Sequence, residues 1–172
     1  MESLLLLFIN NNFFFSKFIT FFFQHKHTSA WHLVLDTNIL LVSLSSKSGF
    51  RMIFNSFVNE EITLCVTTEI LLKYEEIISK YFGKKMASTV LQLIENTPNI
   101  EQINTYFKWK LIISDPDDNK FVDCAIACDA KYLVSNDKHF NILKQLAFPK
   151  VSLLKIEEFK EILLQEQKRN LK

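Results

Sequence analysis

Short continuous apolar runs alternate with longer amphipathic stretches along this chain of 172 residues. A strand inside a parallel sheet is covered on both faces, so it reads as a continuous apolar run without polar alternation. On this pattern, the sequence predicts buried strands at 33–35, 62–66, 132–134 and 151–154, and a further strand at either 100–103 or 111–113.

The stretches between these runs carry apolar residues at helical spacing. Thr67 or Thr68 is placed to cap one helix, and Gly83 is placed to end it. Helices are predicted at 38–44, 49–59, 68–82, 85–95, 117–128, 140–146 and 156–164. This alternation of strands and helices predicts an α/β fold, a three-layer sandwich in which a parallel sheet is flanked by helices.

The first 31 residues differ in composition from the rest. Eight of the 17 phenylalanines lie within the first 23 positions, beside a run of asparagines. The longest apolar run there is far shorter than the ~20 residues of a membrane span, and the basic start of a secretory signal is missing. We interpret 1–31 as an extension outside the fold, either an upstream addition to the true start or an interfacial membrane anchor. Residues 32–165 are then the domain, and 166–172 a short polar tail.

Composition narrows the class of protein and the compartment. The formal net charge is +1, so no strong overall field draws the chain to nucleic acid. With only two glycines, the sequence has neither a Gly-rich phosphate loop nor a dinucleotide fingerprint. Three cysteines without a C-x-x-C pair argue against a disulfide scaffold and against a zinc site built from cysteine alone, and they favour the cytoplasm.

Three acidic residues lie where predicted strands end or a predicted helix begins. Asp36 directly follows the first strand, Asp137 follows strand 132–134, and Asp118 opens helix 117–128. Because ligands bind beyond the carboxyl ends of parallel strands, we expect these carboxylates to converge there. Converging carboxylates repel one another unless a divalent cation neutralises them, and oxygen ligands favour Mg²⁺ or Mn²⁺. For each acid alone, the alternative is helix capping or pairing with a lysine.

Helical geometry separates the two acids of helix 117–128. At about 100° per residue, Asp118 lies on the apolar stripe of this helix, at its N-terminal end. Asp123 lies about 140° away from that stripe and is predicted to face solvent. Cys124 and Cys128 share one face, which we interpret as packing and not as metal binding.

Three motifs occur in order: LVLDTN from Leu33, DPDDNKF from Asp115 and LVSND from Leu133. Together they resemble the PIN-domain family, in particular a bacterial branch of toxin components of toxin–antitoxin systems. The resemblance extends over about residues 33–159. It implies a PIN fold with a parallel sheet flanked by helices.

The resemblance also implies an activity: a Mg²⁺- or Mn²⁺-dependent endoribonuclease, in which a water of lowered pKa attacks the RNA phosphodiester and leaves a 3′-hydroxyl and a 5′-phosphate. It implies a small cognate antitoxin protein as partner. Whether the chain also forms a homodimer is left undecided by the sequence. Carried onto this sequence, the family's acids are Asp36, Asp118 and Asp137. The resemblance makes these three both metal ligands and catalytic residues.

One position departs from the family pattern. The family has an acid just before a tyrosine on the helix after the second strand, where this chain has Lys73 before Tyr74. Glu69 and Glu76 lie one turn away on either side, within reach of the same face, and we favour Glu69 as the fourth catalytic acid. The alternative is that the Lys73 ammonium competes with the metal, which favours a catalytically weakened RNA- or protein-binding module.

Basic residues near the predicted site are candidates to hold RNA phosphates, which positions RNA without reading its sequence. Lys47 and Arg51 follow the first strand, and Lys138 and His139 directly follow Asp137. The alternative for each is an ordinary solvated charge. Four polar residues beside the acids are candidates either to orient bound waters and carboxylates or to cap helices. They are Thr37, Asn38, Ser135 and Asn136.

Overall fold

A computed structural model describes residues 31–170, and the predicted extension at 1–31 lies outside this range apart from Trp31, the first residue of a strand. In this described part of the chain, five strands form one sheet in which every neighbouring pair is parallel. They are β1 (Trp31–Leu35), β2 (Ile62–Val66), β3 (Ile100–Gln102), β4 (Tyr132–Val134) and β5 (Leu153–Leu154). Their spatial order is β3-β2-β1-β4-β5.

Within residues 31–170, six α-helices and two 3₁₀-helices connect and cover these strands. The α-helices are α1 (Thr37–Leu44), α2 (Arg51–Val58), α3 (Thr68–Phe82), α4 (Lys84–Asn96), α5 (Asn119–Ala127) and α6 (Ile156–Asn170). The 3₁₀-helices are Pro116–Asp118 and Lys138–Gln145. The predicted α/β fold with a parallel sheet flanked by helices is confirmed. Between residues 31 and 170, no helix is long and apolar enough to cross a bilayer.

The central strand explains why this fold forms. In β1, Leu33 and Val34 are fully buried, and Leu33 lies in register with Leu64 of β2 and Tyr132 of β4. The hydroxyl of buried Tyr74, on α3, donates a hydrogen bond to the Leu35 carbonyl and ties that helix to the end of β1. The core is therefore continuous from α3 across the sheet.

Both ends of α3 follow the predicted signals. Thr67 Oγ1 accepts a hydrogen bond from the Ile70 N–H at 3.2 Å, which caps the start of the helix. Gly83 ends it at φ 85°, a left-handed conformation that glycine adopts without steric cost. The next helix begins directly at Lys84.

The order of the strands creates a crevice between β1 and β4. From β1 the chain moves outward through β2 to β3, and then returns to the opposite side of β1 to form β4 and β5. Such a reversal leaves a crevice beyond the carboxyl ends of the two strands where it occurs, and ligands of α/β sheets bind there. The residues that directly follow β1 and β4 therefore line the candidate site.

Three predicted elements differ from those observed. Residues 111–113 form no strand, because the backbone N–H and carbonyl of Ile112 both bond to the Asn119 side chain. The helix predicted at 140–146 is the 3₁₀-helix Lys138–Gln145. The polar tail predicted from residue 166 is helical through Asn170, where Gln167 donates a hydrogen bond to Glu61 at 2.8 Å.

Candidate metal centre

Asp36 is a buried acid held at the carboxyl end of β1. The residue is only 4% exposed, and its Oδ2 accepts a hydrogen bond from Ser135 Oγ at 2.8 Å. Burial raises the pKa of Asp36, while the Ser135 hydroxyl and the backbone of Thr37 and Asn38 partly lower it. The hydrogen bond therefore fixes the Asp36 carboxylate in place, while burial disfavours its charged form.

Ser135 joins the ends of the two central strands. It is buried directly after β4, and besides donating to Asp36 it accepts a hydrogen bond from the Asp137 N–H at 3.0 Å. Asp137 in turn accepts the N–H of His139 at 2.9 Å, which caps the following 3₁₀-helix. The expected position of Ser135 beside the acids is the observed one.

Asp118 reaches the same place from the start of α5. Its side chain is 16% exposed, and its Oδ2 is buried with no hydrogen-bond partner among the described residues. Burial, and then repulsion from Asp115, Asp36 and Asp137, raises the pKa of Asp118 to about 6. The structure thus brings together all three acids that the motifs marked, with Asp115 beside them.

His139 contributes an imidazole to this cluster. Its Nδ1 lies 3.3 Å from Asp137 Oδ1, 3.6 Å from Asp118 Oδ2 and 4.0 Å from Asp115 Oδ2. This nitrogen is buried and has no hydrogen-bond partner within residues 31–170. His139 was predicted only as a phosphate ligand, and Asp115 was not predicted at the site. Both residues lie within three positions of a predicted acid, in DPDD at 115–118 and NDKH at 136–139, and this proximity could have marked them.

The donor set fits a divalent cation. Several carboxylates share one crevice, and one buried carboxylate oxygen has no partner to neutralise it. Leaving buried charges uncompensated is costly, so such an arrangement is typical of an acidic site that binds a metal ion. Asp36, Asp118 and Asp137 supply carboxylates to this crevice, and their role as metal ligands stays a prediction.

Glu69, Lys73 and Glu76 of α3 line a cleft of about 890 Å³ together with the 103–115 loop and the start of α5. Glu69 pairs there with Lys108 at 2.9 Å. Lys73 contacts Glu76 Oε2 at 3.1 Å and Asp117 Oδ2 at 3.4 Å. The charged side chains on this face of α3 therefore form ion pairs with one another and with residues that line the cleft.

The charges in this cleft largely compensate one another. The hydrogen bond to Glu76 raises the pKa of Lys73, and the hydrogen bond from Lys120 lowers the pKa of Asp117. The Lys73 ammonium thus has two acidic partners of its own. Its observed partners are not the three acids that the motifs marked.

The prediction that Asp123 faces solvent is wrong. Asp123 is only 2% exposed; its Oδ1 accepts the Trp109 backbone N–H at 3.0 Å, and Lys108 lies 3.9 Å from its Oδ2. The helical stripe identifies the face that packs on the sheet, but the loop at 103–115 covers a second face of α5. Asp123 anchors that loop.

The prediction that Arg51 lies on the same side as the acids is also wrong. Its guanidinium donates to the Leu44 carbonyl and to Asn55 Oδ1, and it lines a groove with Phe82, the last residue of α3. The 15 residues of α3 span about 20 Å, and its first turn follows the carboxyl end of β2. Arg51 therefore lies at the far end of α3. Lys47 and Lys138 are exposed, and their contact with RNA stays a prediction.

Contacts within the described residues assign one of the two expected roles to a single further polar candidate. Asn136 Oδ1 accepts the Ile156 N–H at 3.0 Å and so caps α6, which was the alternative. Asn38 is exposed beside Asp36. Thr37 Oγ1 is buried and has no hydrogen-bond partner in the described part of the chain.

These features define a class: a parallel α/β domain with an acidic centre at the strand-order reversal. The PIN domain family matches residues 32–139, and the chain belongs to that family. The resemblance of the three motifs is thereby confirmed.

Solved structures are similar to this chain at low sequence identity. VapBC2 from Rickettsia felis, crystallised with a DNA fragment from its promoter, is 18% identical with a TM-score of 0.52, over 72% of this chain and 98% of that chain. The T. brucei RRP44 PIN domain is 14% identical with a TM-score of 0.47, over 83% and 86%. No curated protein sequence matches the chain. Identities this low show the fold alone.

Proposed function

We propose that this protein is a divalent-metal-dependent endoribonuclease that hydrolyses RNA phosphodiester bonds. The observation that carries the proposal is the convergence of Asp36, Asp118 and Asp137 in the crevice between β1 and β4, with Asp118 Oδ2 buried and unpartnered. Membership of the PIN domain family supports the same reaction class.

In this proposal each residue has a stated task. Asp36, Asp118 and Asp137 hold Mg²⁺ or Mn²⁺, and Ser135 fixes Asp36 through its hydroxyl. A bound divalent ion lowers the pKa of a water and stabilises negative charge on the phosphodiester. Lys138, exposed beside Asp137, is the candidate to contact an RNA phosphate.

The proposal extends to a toxin–antitoxin pair in the cytoplasm. The VapBC2 structure, which shares the fold, gives the precedent of a two-component assembly. We propose a small cognate antitoxin as the partner of this chain, and a homodimer as the alternative assembly.

A second candidate is a weakened RNA- or protein-binding module. The observation favouring it is Lys73, a cation at the position where the family has an acid. Its ion pairs with Glu76 and Asp117 leave α3 without a free carboxylate at that position.

Cleavage of a labelled single-stranded RNA by the full chain tests the proposal. We expect cleavage with Mg²⁺ or Mn²⁺, none with EDTA, and none by the Asp36→Asn, Asp118→Asn or Asp137→Asn variants. Glu95→Gln, which changes an exposed acid on α4, is the matched control and should cleave like the parent. Cleavage by Asp36→Asn would refute the proposal, and RNA binding without cleavage would favour the second candidate.

A further inference from the structure

The candidate metal centre has no carboxylate at the α3 position where the family has an acid, which is Lys73 here. Two other residues, His139 and Asp115, face the centre. Glu69 and Lys73 are engaged in ion pairs within the adjacent cleft. In contrast, Nδ1 of His139 is buried without a hydrogen-bond partner in the described chain, and it faces carboxylates of Asp115, Asp118 and Asp137. These groups are the ones available to complete the coordination.

We infer that His139 and Asp115 are ligands of the metal centre, and that the imidazole nitrogen makes the centre prefer Mn²⁺ to Mg²⁺. The inference rests on the proposed metal-dependent function and deepens it. It replaces the missing donor of α3 with two donors from the turns that flank α5 and β4.

The distances between donor atoms fit a shared ion. Donors that are each about 2.1 Å from one cation lie about 3 to 4 Å from one another. His139 Nδ1 is 3.6 Å from Asp118 Oδ2 and 4.0 Å from Asp115 Oδ2. One donor atom from each of these three residues lies within 4.8 Å of the others. No large movement of the chain is needed to bring them onto one ion.

The backbone holds the imidazole in this orientation. The N–H of His139 donates to Asp137 Oδ1 at 2.9 Å, in the first turn of the 3₁₀-helix. The next residue, Phe140, is fully buried and packs against Phe121 of α5. The ring is thus positioned by two anchors that do not involve its own nitrogens.

The rival explanation is that a protonated His139 serves as a counter-ion to the acids. An imidazolium in that role would be expected to donate Nδ1–H to a carboxylate. Nδ1 instead lies near three carboxylate oxygens without a hydrogen bond to any of them. The two roles predict opposite effects on metal binding when the imidazole is removed, and the variants below separate them.

The identity of the extra ligand sets the metal preference. Mg²⁺ requires hard oxygen donors and keeps much of its hydration shell. Carboxylates suit both Mg²⁺ and Mn²⁺, whereas imidazole suits transition ions. Of these two ions, only Mn²⁺ is a transition ion, so a nitrogen donor disfavours it less than it disfavours Mg²⁺. A centre with one imidazole and several carboxylates therefore favours Mn²⁺.

Electron spin-echo spectroscopy of the full chain loaded with Mn²⁺ tests the inference directly. We expect ¹⁴N modulation from a directly bound imidazole in the parent, and its loss in His139→Phe, which keeps a ring but removes the nitrogen. His32→Phe is the matched control, because His32 pairs with Glu101 on the edge strand, and it should retain the modulation. Mn²⁺ binding to the parent without ¹⁴N modulation would overturn the inference.

Calorimetric titration gives an independent readout on the same variants. We expect His139→Phe to weaken Mn²⁺ binding by about tenfold or more, which is ~1.4 kcal/mol, and to weaken Mg²⁺ binding less. Asp115→Asn should weaken both ions. Should His139→Phe strengthen binding of both ions, the counter-ion explanation would be correct.

Two further arms keep the test decisive. His139→Asn keeps a polar atom near the Nδ1 position, so it should fold even if the phenylalanine variant does not, and it should also lose the ¹⁴N modulation of imidazole. If the parent binds Mn²⁺ without imidazole coordination and still cleaves RNA, only this inference fails. If the parent binds neither ion, the proposed function itself fails.

Discussion

Replacing Asp118 with asparagine should stabilise the metal-free protein while removing its capacity to bind metal. Asp118 is a carboxylate gathered with Asp36, Asp115 and Asp137, and burial together with their repulsion raises its pKa to about 6 from 3.8. The folded state therefore binds this proton more tightly than the unfolded state does. An ionised Asp118 is a cost of folding, and asparagine removes it at nearly constant shape.

The sign of the pH dependence follows from the direction of this shift. Below about pH 4, Asp118 is protonated in both states and contributes no penalty. As pH rises from about 4 to 6, the unfolded state ionises first, and the folded state loses relative stability. Above about pH 6 the penalty is complete. The variant should therefore match the parent near pH 4 and exceed it at pH 8.

The magnitude follows from the same shift. A change of about two pKa units corresponds to about 3 kcal/mol at ~1.4 kcal/mol per unit. Since the side chain is 16% exposed, some screening reduces this, and we expect about 2 kcal/mol or more. For a chain of this size, such a gain raises the melting temperature by roughly 4–10 °C.

Thermal unfolding in EDTA at pH 8 and at pH 5 measures this effect. Asp118→Asn should melt above the parent at pH 8, with a smaller difference at pH 5, and saturating Mn²⁺ should stabilise only the parent. Glu95→Gln is the control for loss of one exposed charge. A variant that melts below the parent at pH 8 would show that Asp118 is stabilised by partners, and the electrostatic reasoning would be refuted.

Two further predictions concern the cleft beside the candidate metal centre. Lys73→Glu should destabilise the fold by about 1 kcal/mol in urea unfolding, because it places a carboxylate beside Glu76 and Asp117. The same variant should bind Mn²⁺ within about threefold of the parent affinity. A tenfold gain in affinity would show that the Lys73 ammonium acts on the metal centre itself. Asp123→Ala should cost about 1–3 kcal/mol, since it leaves the Trp109 N–H without its acceptor, whereas Asp123→Asn keeps an acceptor oxygen and should cost less in the same assay.

Local pattern predicted the elements and the three marked acids well. The apolar runs at 62–66 and 132–134 coincide with β2 and β4, and Thr67 and Gly83 bound α3 as their chemistry dictates. Asp36, Asp118 and Asp137 meet because parallel strands share a carboxyl edge, which is a consequence of topology that the sequence already implies. Their roles in metal binding and catalysis stay predictions.

The environment of α5 shows where local pattern fails. Helical periodicity reports the face that meets the sheet, so it placed Asp118 correctly and Asp123 wrongly. The loop at 103–115 has no periodicity, and its path over α5 is set by contacts such as Asn119 with Ile112. A buried acid that anchors a loop has no local signature.

Spacing along the chain was enough to predict most strands and helices, the family and the three acids that its motifs mark, but it left one strand open between 100–103 and 111–113. Which charges meet depends on the tertiary packing. Lys73 pairs with Asp117 across 44 positions, Ser135 with Asp36 across 99, and His139 faces Asp115 from the far side of α5 and β4. Such contacts depend on how whole elements pack, and side-chain spacing within one element carries no information about them.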